Sequence, residues 1–100
     1  MDQVEVFKAL GNKNRLQILN WLNSPEEHFV DYVPACGDVD VGVCVGYIQK
    51  KSGLTQSTIS EYLAVLNRVG LVSATRIGQW TYYKRNEQTI AALGNLMDTL

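Results

Sequence analysis

A mainly α fold with a small β-hairpin, in the order α-α-(long loop)-α-α-β-β-α, is predicted by three observations. Apolar residues recur at helical spacing in several short segments, and two extended segments rich in Val, Thr, Trp and Tyr flank Ile77-Gly78-Gln79. The third observation is charge: between Gly46 and Asn86 stand six Lys or Arg (Lys50, Lys51, Arg68, Arg76, Lys84, Arg85) against one acid, Glu61. The other 59 residues carry three basic groups and nine acids, so a chain of net charge −1 divides into about +5 and −6. Attraction to phosphate depends on local charge, so a weakly acidic pI does not exclude nucleic acid. The plain alternative is an ordinary solvated basic face.

One hundred residues, 46% of them apolar, make a single domain over 1–100, small enough to gain from burying surface against a second copy. Phe7, Leu10, Leu16, Ile18, Leu19, Trp21 and Leu22 predict helices over about 2–10 and 13–23, broken at Gly11, with Asn12 capping the second. Residues 24–42 change character. They hold both prolines, the only histidine (His28), Cys36 and five acids (Glu26, Glu27, Asp31, Asp38, Asp40), without Lys or Arg, and read as a long acidic loop.

Order is expected to return near Val43, where Val45, Tyr47 and Ile48 give a short apolar face ending at Ser52-Gly53. Gly53 suits a left-handed residue between two helices, and Thr55 is a good N-cap for the next. In that helix Ile59, Leu63 and Leu66, with Tyr62 beside them, form the buried stripe. The opposite face, Gln56, Ser57, Ser60, Glu61, Ala64, Asn67 and Arg68, is small or polar, as a surface pressed into a groove requires. Residues 43–70 therefore read as a helix-turn-helix, 71–86 as a hairpin or wing, and 87–100 as a last helix. Its stripe of Ile90, Leu93, Met97 and Leu100 calls for a partner surface.

The DNA major groove, about 12 Å wide, admits one helix whose first turns meet base edges. Gln56, Ser57, Thr58 and Ser60 occupy those turns. Gln pairs bidentately with adenine, Ser and Thr serve bases or phosphates, and the helix N-terminus favours a phosphate oxygen. Lys50, Lys51, Arg68, Arg76, Lys84 and Arg85 would flank the duplex, and the tip from Arg76 to Gln79 would reach an adjacent minor groove. Trp80, Tyr82 and Tyr83 read as strand packing rather than stacking platforms. Lys13 and Arg15 read as helix-packing or phosphate-contact residues.

The segments Phe7-Lys-Ala-Leu-Gly-Asn-Lys-Asn-Arg15-Leu-Gln-Ile-Leu19 and Gly53-Leu-Thr-Gln-Ser-Thr-Ile-Ser-Glu-Tyr-Leu63-Ala-Val-Leu-Asn-Arg-Val-Gly-Leu-Val72 resemble the ArsR/SmtB family of metal-responsive repressors. The resemblance covers most of the chain outside 24–42. It implies a homodimeric winged helix-turn-helix that holds double-stranded operator DNA when ligand-free and releases it to an inducer. It carries Gln56, Ser57, Ser60 and Tyr62 into the recognition helix, Tyr62 where the family usually has His. It also implies a dimer interface of the first and last helices, which places Val6, Phe7, Ile90, Leu93, Met97 and Leu100 there.

Arsenic-sensing members of that family carry Cys-Val-Cys where this chain has Cys44-Val45-Gly46, and zinc-sensing members use His ligands on a last helix that here contains none. Cys36 and Cys44 remain. Thiolates suit soft ions, and a helix start lowers a thiol pKa. Two designs are open: joint binding of arsenite or another thiophilic ion, or closure of a disulfide under oxidative or sulfur stress. That bond would constrain the unfolded chain by roughly 2.5 kcal/mol. A His/Asp site drawing on His28, Asp31, Asp38 or Asp40 is a third, and purely structural thiols a fourth.

With one His, no Gly-rich phosphate loop and no nucleophile elbow, the sequence holds no credible catalytic set. A Cys-x-x-Cys redox pair is also lacking. No 18-residue apolar run and no basic, apolar leader occur, which predicts a soluble, cytoplasmic chain without a membrane partner. The expected function is a transcriptional repressor. Its rivals are a winged-helix module that binds protein, and a regulator of the same type without thiol or metal sensing.

Overall fold

The computed structural model describes residues 1–29 and 41–100. Among the described residues, six helices and three strands follow in the order α1 (Gln3–Leu10), α2 (Lys13–Asn23), α3 (Pro25–His28), β1 (Val43–Cys44), α4 (Val45–Ser52), α5 (Gln56–Arg68), β2 (Val72–Ile77), β3 (Trp80–Arg85) and α6 (Glu87–Thr99). The helix starts obey local chemistry. Asp2, Asn12, Thr55 and Asn86 each lend a side-chain oxygen to a first-turn N–H of the helix they precede. None of the described helices is long and apolar enough to cross a membrane.

Two elements correct the expectation of an element-free stretch over 24–42 and of a sheet limited to one hairpin. Pro25 opens α3 at a position where its fixed φ and missing N–H cost nothing, with Glu26 and Glu27 in the first turn. Phe29 then buries its ring edge-on between Trp21, at 6.3 Å, and Tyr47, at 6.5 Å. Tertiary burial, not local periodicity, secures this turn. At the far end Val43 and Cys44 pair with Tyr83 and Tyr82, giving a sheet in the order β1-β3-β2. Gly42 makes that pairing possible. It is buried at φ +111°, and a Cβ there would strike the Tyr83 carbonyl and the Lys84 side chain. Residues 30–40, with Cys36, Asp31, Asp38 and Asp40, lie outside the described residues.

The core joins Val6 and Ala9 of α1, Ile18, Leu19 and Leu22 of α2, Ile48 of α4, Ile59, Leu63 and Leu66 of α5, and Val43, Leu71 and Val72 at the sheet. Val6 is fully buried within the single chain, which removes it from the expected dimer surface: it faces the domain core, and the exposed apolar residues of α1 are Val4 and Phe7. Ile90 and Leu93 are half-buried against the core, whereas Met97 and Leu100 stand exposed. The last helix thus roots its first half in its own domain and offers its second half outward.

Candidate nucleic-acid interface

The turn between α4 and α5 is built from three residues. Gly53, at φ +71°, donates its N–H to the Gln49 carbonyl at 3.0 Å and closes α4 in the left-handed region. Ser52 donates its hydroxyl to the same carbonyl at 2.9 Å and accepts the Leu54 N–H at 3.1 Å. Thr55 then accepts the Thr58 N–H at 3.3 Å and donates to the Thr58 hydroxyl at 2.9 Å. Thr58 is therefore half-buried and tied to the cap, its hydroxyl accepting from Thr55 and keeping its own O–H to donate. Among the described residues no side-chain hydrogen bond occupies Gln56 or Ser60.

On α5 the exposed residues are Gln56, Ser57, Ser60, Glu61, Ala64, Asn67 and Arg68, the same seven that the hydrophobic period assigns to the free face. At 3.6 residues per turn they span about 140° of the helix surface. Ile59, Leu63 and Leu66 are fully buried on the other side. The result is a polar ridge with Gln56 and Ser57 at its leading end and Arg68 at its trailing end.

Lys50 and Lys51 end α4 exposed, where the helix dipole favours cations, and the Lys51 ammonium stands 5.3 Å from the centre of the Trp21 ring. The wing places Arg76, Gly78, Gln79 and Trp80 at its exposed tip, with Ile77 paired to Trp80 across a two-residue connection. Arg76 donates Nε–H to the Gly78 carbonyl at 3.2 Å, so its guanidinium is folded along the tip. Trp80 is 52% exposed, a correction to its reading as strand packing: it sits on the sheet face opposite Val72 and beyond the reach of the core.

Three assigned residues sit elsewhere or are already engaged. Arg85 makes a two-point contact with Glu87, Nε to Oε2 and Nη2 to Oε1, both 2.7 Å. That hydrogen bonding holds the Glu87 carboxyl below the usual glutamate range and supports the Arg85 charge, so Arg85 is a compensated cation and not a free phosphate contact. Lys84 beside it remains exposed. Tyr62 turns toward α2, where Asn14 donates to its hydroxyl at 3.4 Å and the Arg15 guanidinium lies 5.8 Å from its ring centre. Arg15 itself is committed to the end of α1 and is not available to phosphate. Asn14 and Arg15 are contacts of the recognition helix that periodicity could not reveal, because their partner lies 48 and 47 residues away in sequence.

Cys44 is a free, half-buried thiol at the junction of β1 and α4, with its backbone paired to Tyr82. Among the described residues no group of three His, Cys, Asp or Glu could hold a metal ion. Burial raises the Tyr83 phenol above its usual pKa on the neighbouring strand position.

No family model matches the chain. An uncharacterised HTH-type transcriptional regulator of Bacillus subtilis strain 168, YbzH, is 48% identical over 99 residues, 99% of this chain and 98% of that protein. The putative arsenical resistance operon repressor ArsR2 of Halobacterium salinarum is 30% identical, across 95% of this chain and 68% of its own. The transcriptional activator HlyU of Vibrio cholerae is 30% identical, across 97% and 75%. Among solved structures, the homodimeric winged helix-turn-helix DNA-binding domain of Mb0332 from Mycobacterium bovis, a possible ArsR-family regulator, superposes with a TM-score of 0.66 at 28% identity, covering 96% of this chain and 75% of that one.

Proposed function

Since the chain belongs to the ArsR family of winged helix-turn-helix transcriptional regulators and is not an enzyme, we propose that it reads double-stranded operator DNA as a homodimer. In this reading α5 enters the major groove, and the tip of the wing, Arg76 to Gln79, lies over the adjacent minor groove. The observation that carries it is the continuous exposed face of α5, small or polar throughout, whose leading residues Gln56, Ser57 and Ser60 are exposed while its core stripe is sealed. Gln56 supplies bidentate readout, Ser57 and Ser60 bond to base edges or phosphate, and Lys50, Lys51, Arg68, Arg76 and Lys84 neutralise the backbone. The exposed apolar residues of α1 and α6, among them Phe7, Met97 and Leu100, pair the two copies. Two recognition helices then meet successive major grooves about 34 Å apart.

The test is iterative selection from a random duplex pool followed by salt titration of the recovered site. The expected product is a palindrome with half-sites one helical turn apart, bound with an affinity that falls steeply as salt rises. A pool that enriches no sequence, with binding indifferent to salt, would refute the reading.

The finer part of the proposal is repression relieved by chemistry at Cys44, joined by Cys36, with arsenite, another thiophilic ion or an oxidant as inducer. What supports it is the position of the Cys44 thiol at the first residue before α4, so that a ligand there tilts the helix carrying Lys50 and Lys51. A hundredfold loss of affinity needs only about 2.7 kcal/mol of coupling. A gel-shift titration with reductant, arsenite and oxidant on the parent and on Cys44→Ser decides it. Identical release curves remove the thiol switch, and a transcript that falls when the gene is deleted turns the repressor into an activator.

A further inference from the structure

We propose that Arg15, with its neighbour Asn14, is a positioning pair that fixes the tilt of α5 against α1. Its consequence for DNA rests on the dimeric reader proposed above; its mechanism rests on contacts within one chain.

The last turn of α1 leaves backbone carbonyls in need of donors. Gly11 donates its N–H to the Phe7 and Lys8 carbonyls, at 3.0 and 3.1 Å. The Ala9 carbonyl is taken by Arg15 Nε–H at 2.7 Å, and Arg15 Nη2 reaches the Lys8 carbonyl at 3.2 Å. A guanidinium therefore sits on the negative end of the α1 dipole, held by charge-assisted bonds in a planar fork. The same group faces Tyr62 of α5, 5.8 Å from the ring centre, at a distance where a cation is attracted to the ring face. Asn14, one residue earlier on α2, donates Nδ2–H to the Tyr62 hydroxyl at 3.4 Å.

Tyr62 is thus held at its ring and at its hydroxyl by consecutive residues of α2, and one of these also grips α1. The fully buried Ile59, Leu63 and Leu66 anchor α5 in the core along one stripe, and Tyr62 stands beside that stripe, where its contacts resist rotation about it. The cation and the hydroxyl contact supply the direction. Tyr62 lies six residues from Gln56, about 9 Å along the helix, so a 10° tilt about it moves the first turn by about 1.6 Å. Hydrogen bonds to base edges tolerate only a few tenths of an ångström. In a dimer joined through α1 and α6 the error appears in both half-sites, and the relay from α1 through Arg15 to Tyr62 sets the separation of the two reading helices.

The experiment compares Arg15→Gln, Tyr62→Phe and Tyr62→Leu with the parent on the selected site, on the same site with its half-sites moved apart or together by one base pair, and on random duplex. Tyr62→Phe keeps the ring but loses the Asn14 bond, and is expected to fall about threefold, between the parent and Tyr62→Leu. Arg15→Gln and Tyr62→Leu are each expected to lose about tenfold on the selected site, within the range of measured couplings, and to accept the altered spacings more nearly equally. Their binding to random duplex is expected to be unchanged, which a general loss of folding would not produce. A second readout needs no DNA. Spin labels at Lys8→Cys and Ser57→Cys, with Cys36→Ser and Cys44→Ser, in chains diluted into unlabelled protein, report the α1–α5 distance; the distribution is expected to broaden most with Tyr62→Leu and less with Tyr62→Phe. Unchanged distributions, or selected and random sites weakened alike, overturn the proposal. A parent that bound no duplex would instead overturn the DNA reading, and the spin-label distances would still judge the pair.

Discussion

Arg85 and Glu87 face each other across the end of the wing with two parallel hydrogen bonds of 2.7 Å, an acid two residues on from the last cation of the basic segment. The carboxylate is largely exposed, so the pair contributes under about 1 kcal/mol after screening. Its main effect is to remove one positive charge from the surface available to DNA. The Glu87 carboxyl is held down by the hydrogen bond to Arg85, so its folded pKa lies below the unfolded one. The stabilisation is therefore present above the ordinary glutamate value of about 4.3 and fades as pH falls through the lower folded value. Glu87→Gln is expected to lower the melting temperature slightly at pH 7, with the gap to the parent closing below about pH 4. The same variant frees Arg85 and should increase retention on random duplex, steepening the log–log salt slope by about 0.9. A temperature gap that persists unchanged at pH 3 would show that the pairing is not its source.

Two glycines a few residues apart should respond in opposite directions to the same change. Gly42→Ala forces a left-handed residue against the Tyr83 carbonyl and is expected to cost roughly 2 kcal/mol or more, unzipping β1 from β3. Gly46 lies in α4 with open space around the added methyl, so Gly46→Ala should stabilise by about 0.5 kcal/mol. Urea midpoints for the two variants settle both signs, and equal shifts would contradict the geometry.

On DNA, Gln56→Ala should weaken the selected site by about 1–3 kcal/mol while leaving random duplex nearly unchanged, because it removes a base-reading group. Arg76→Ala should weaken all sequences alike and flatten the salt slope by about one unit. Competition gel shifts over a salt series separate the two patterns. Parent-like binding by both variants would disprove this allocation of roles.

The distinction between the sealed and open sides of α1 and α6 can be measured directly. Val6→Ala removes fully buried methyls and is expected to cost about 2 kcal/mol of stability with the subunit equilibrium following the fold. Met97→Asp places a charge on an exposed apolar residue and should leave the single chain folded while shifting it to monomer by sedimentation. A Met97→Asp chain that stays dimeric would move the pairing surface elsewhere.

The amphipathic helix α5 was legible because thirteen contiguous residues repeat their apolar positions often enough to define both of its sides. Its capping Thr55, the turn at Gly53 and the hairpin around Gly78 follow from local chemistry and were equally readable. Elements held by distant partners were not. Four residues of α3 carry no period and exist because Phe29 finds Trp21 and Tyr47, while β1 is two residues long and depends on a strand forty positions away. Adjacent apolar residues such as Val6 and Phe7 cannot be divided between core and partner by sequence alone, since both lie near the boundary of the apolar stripe. Arg85 reads as a free cation in the sequence because the basic segment ends at Asn86, one residue short of the acid that binds it. Thr58 and Tyr62 carry the right chemistry for a groove, but the first is drawn into the cap and the second into contact with α2.

Phe29 and Gly42 are each locked to the domain independently, one by aromatic neighbours and the other by a strand that admits no side chain in its place. Because both ends are fixed in this way, doubling the length of polypeptide between them would add only about 0.6 kcal/mol of closure entropy, and the two moorings would hold the same separation.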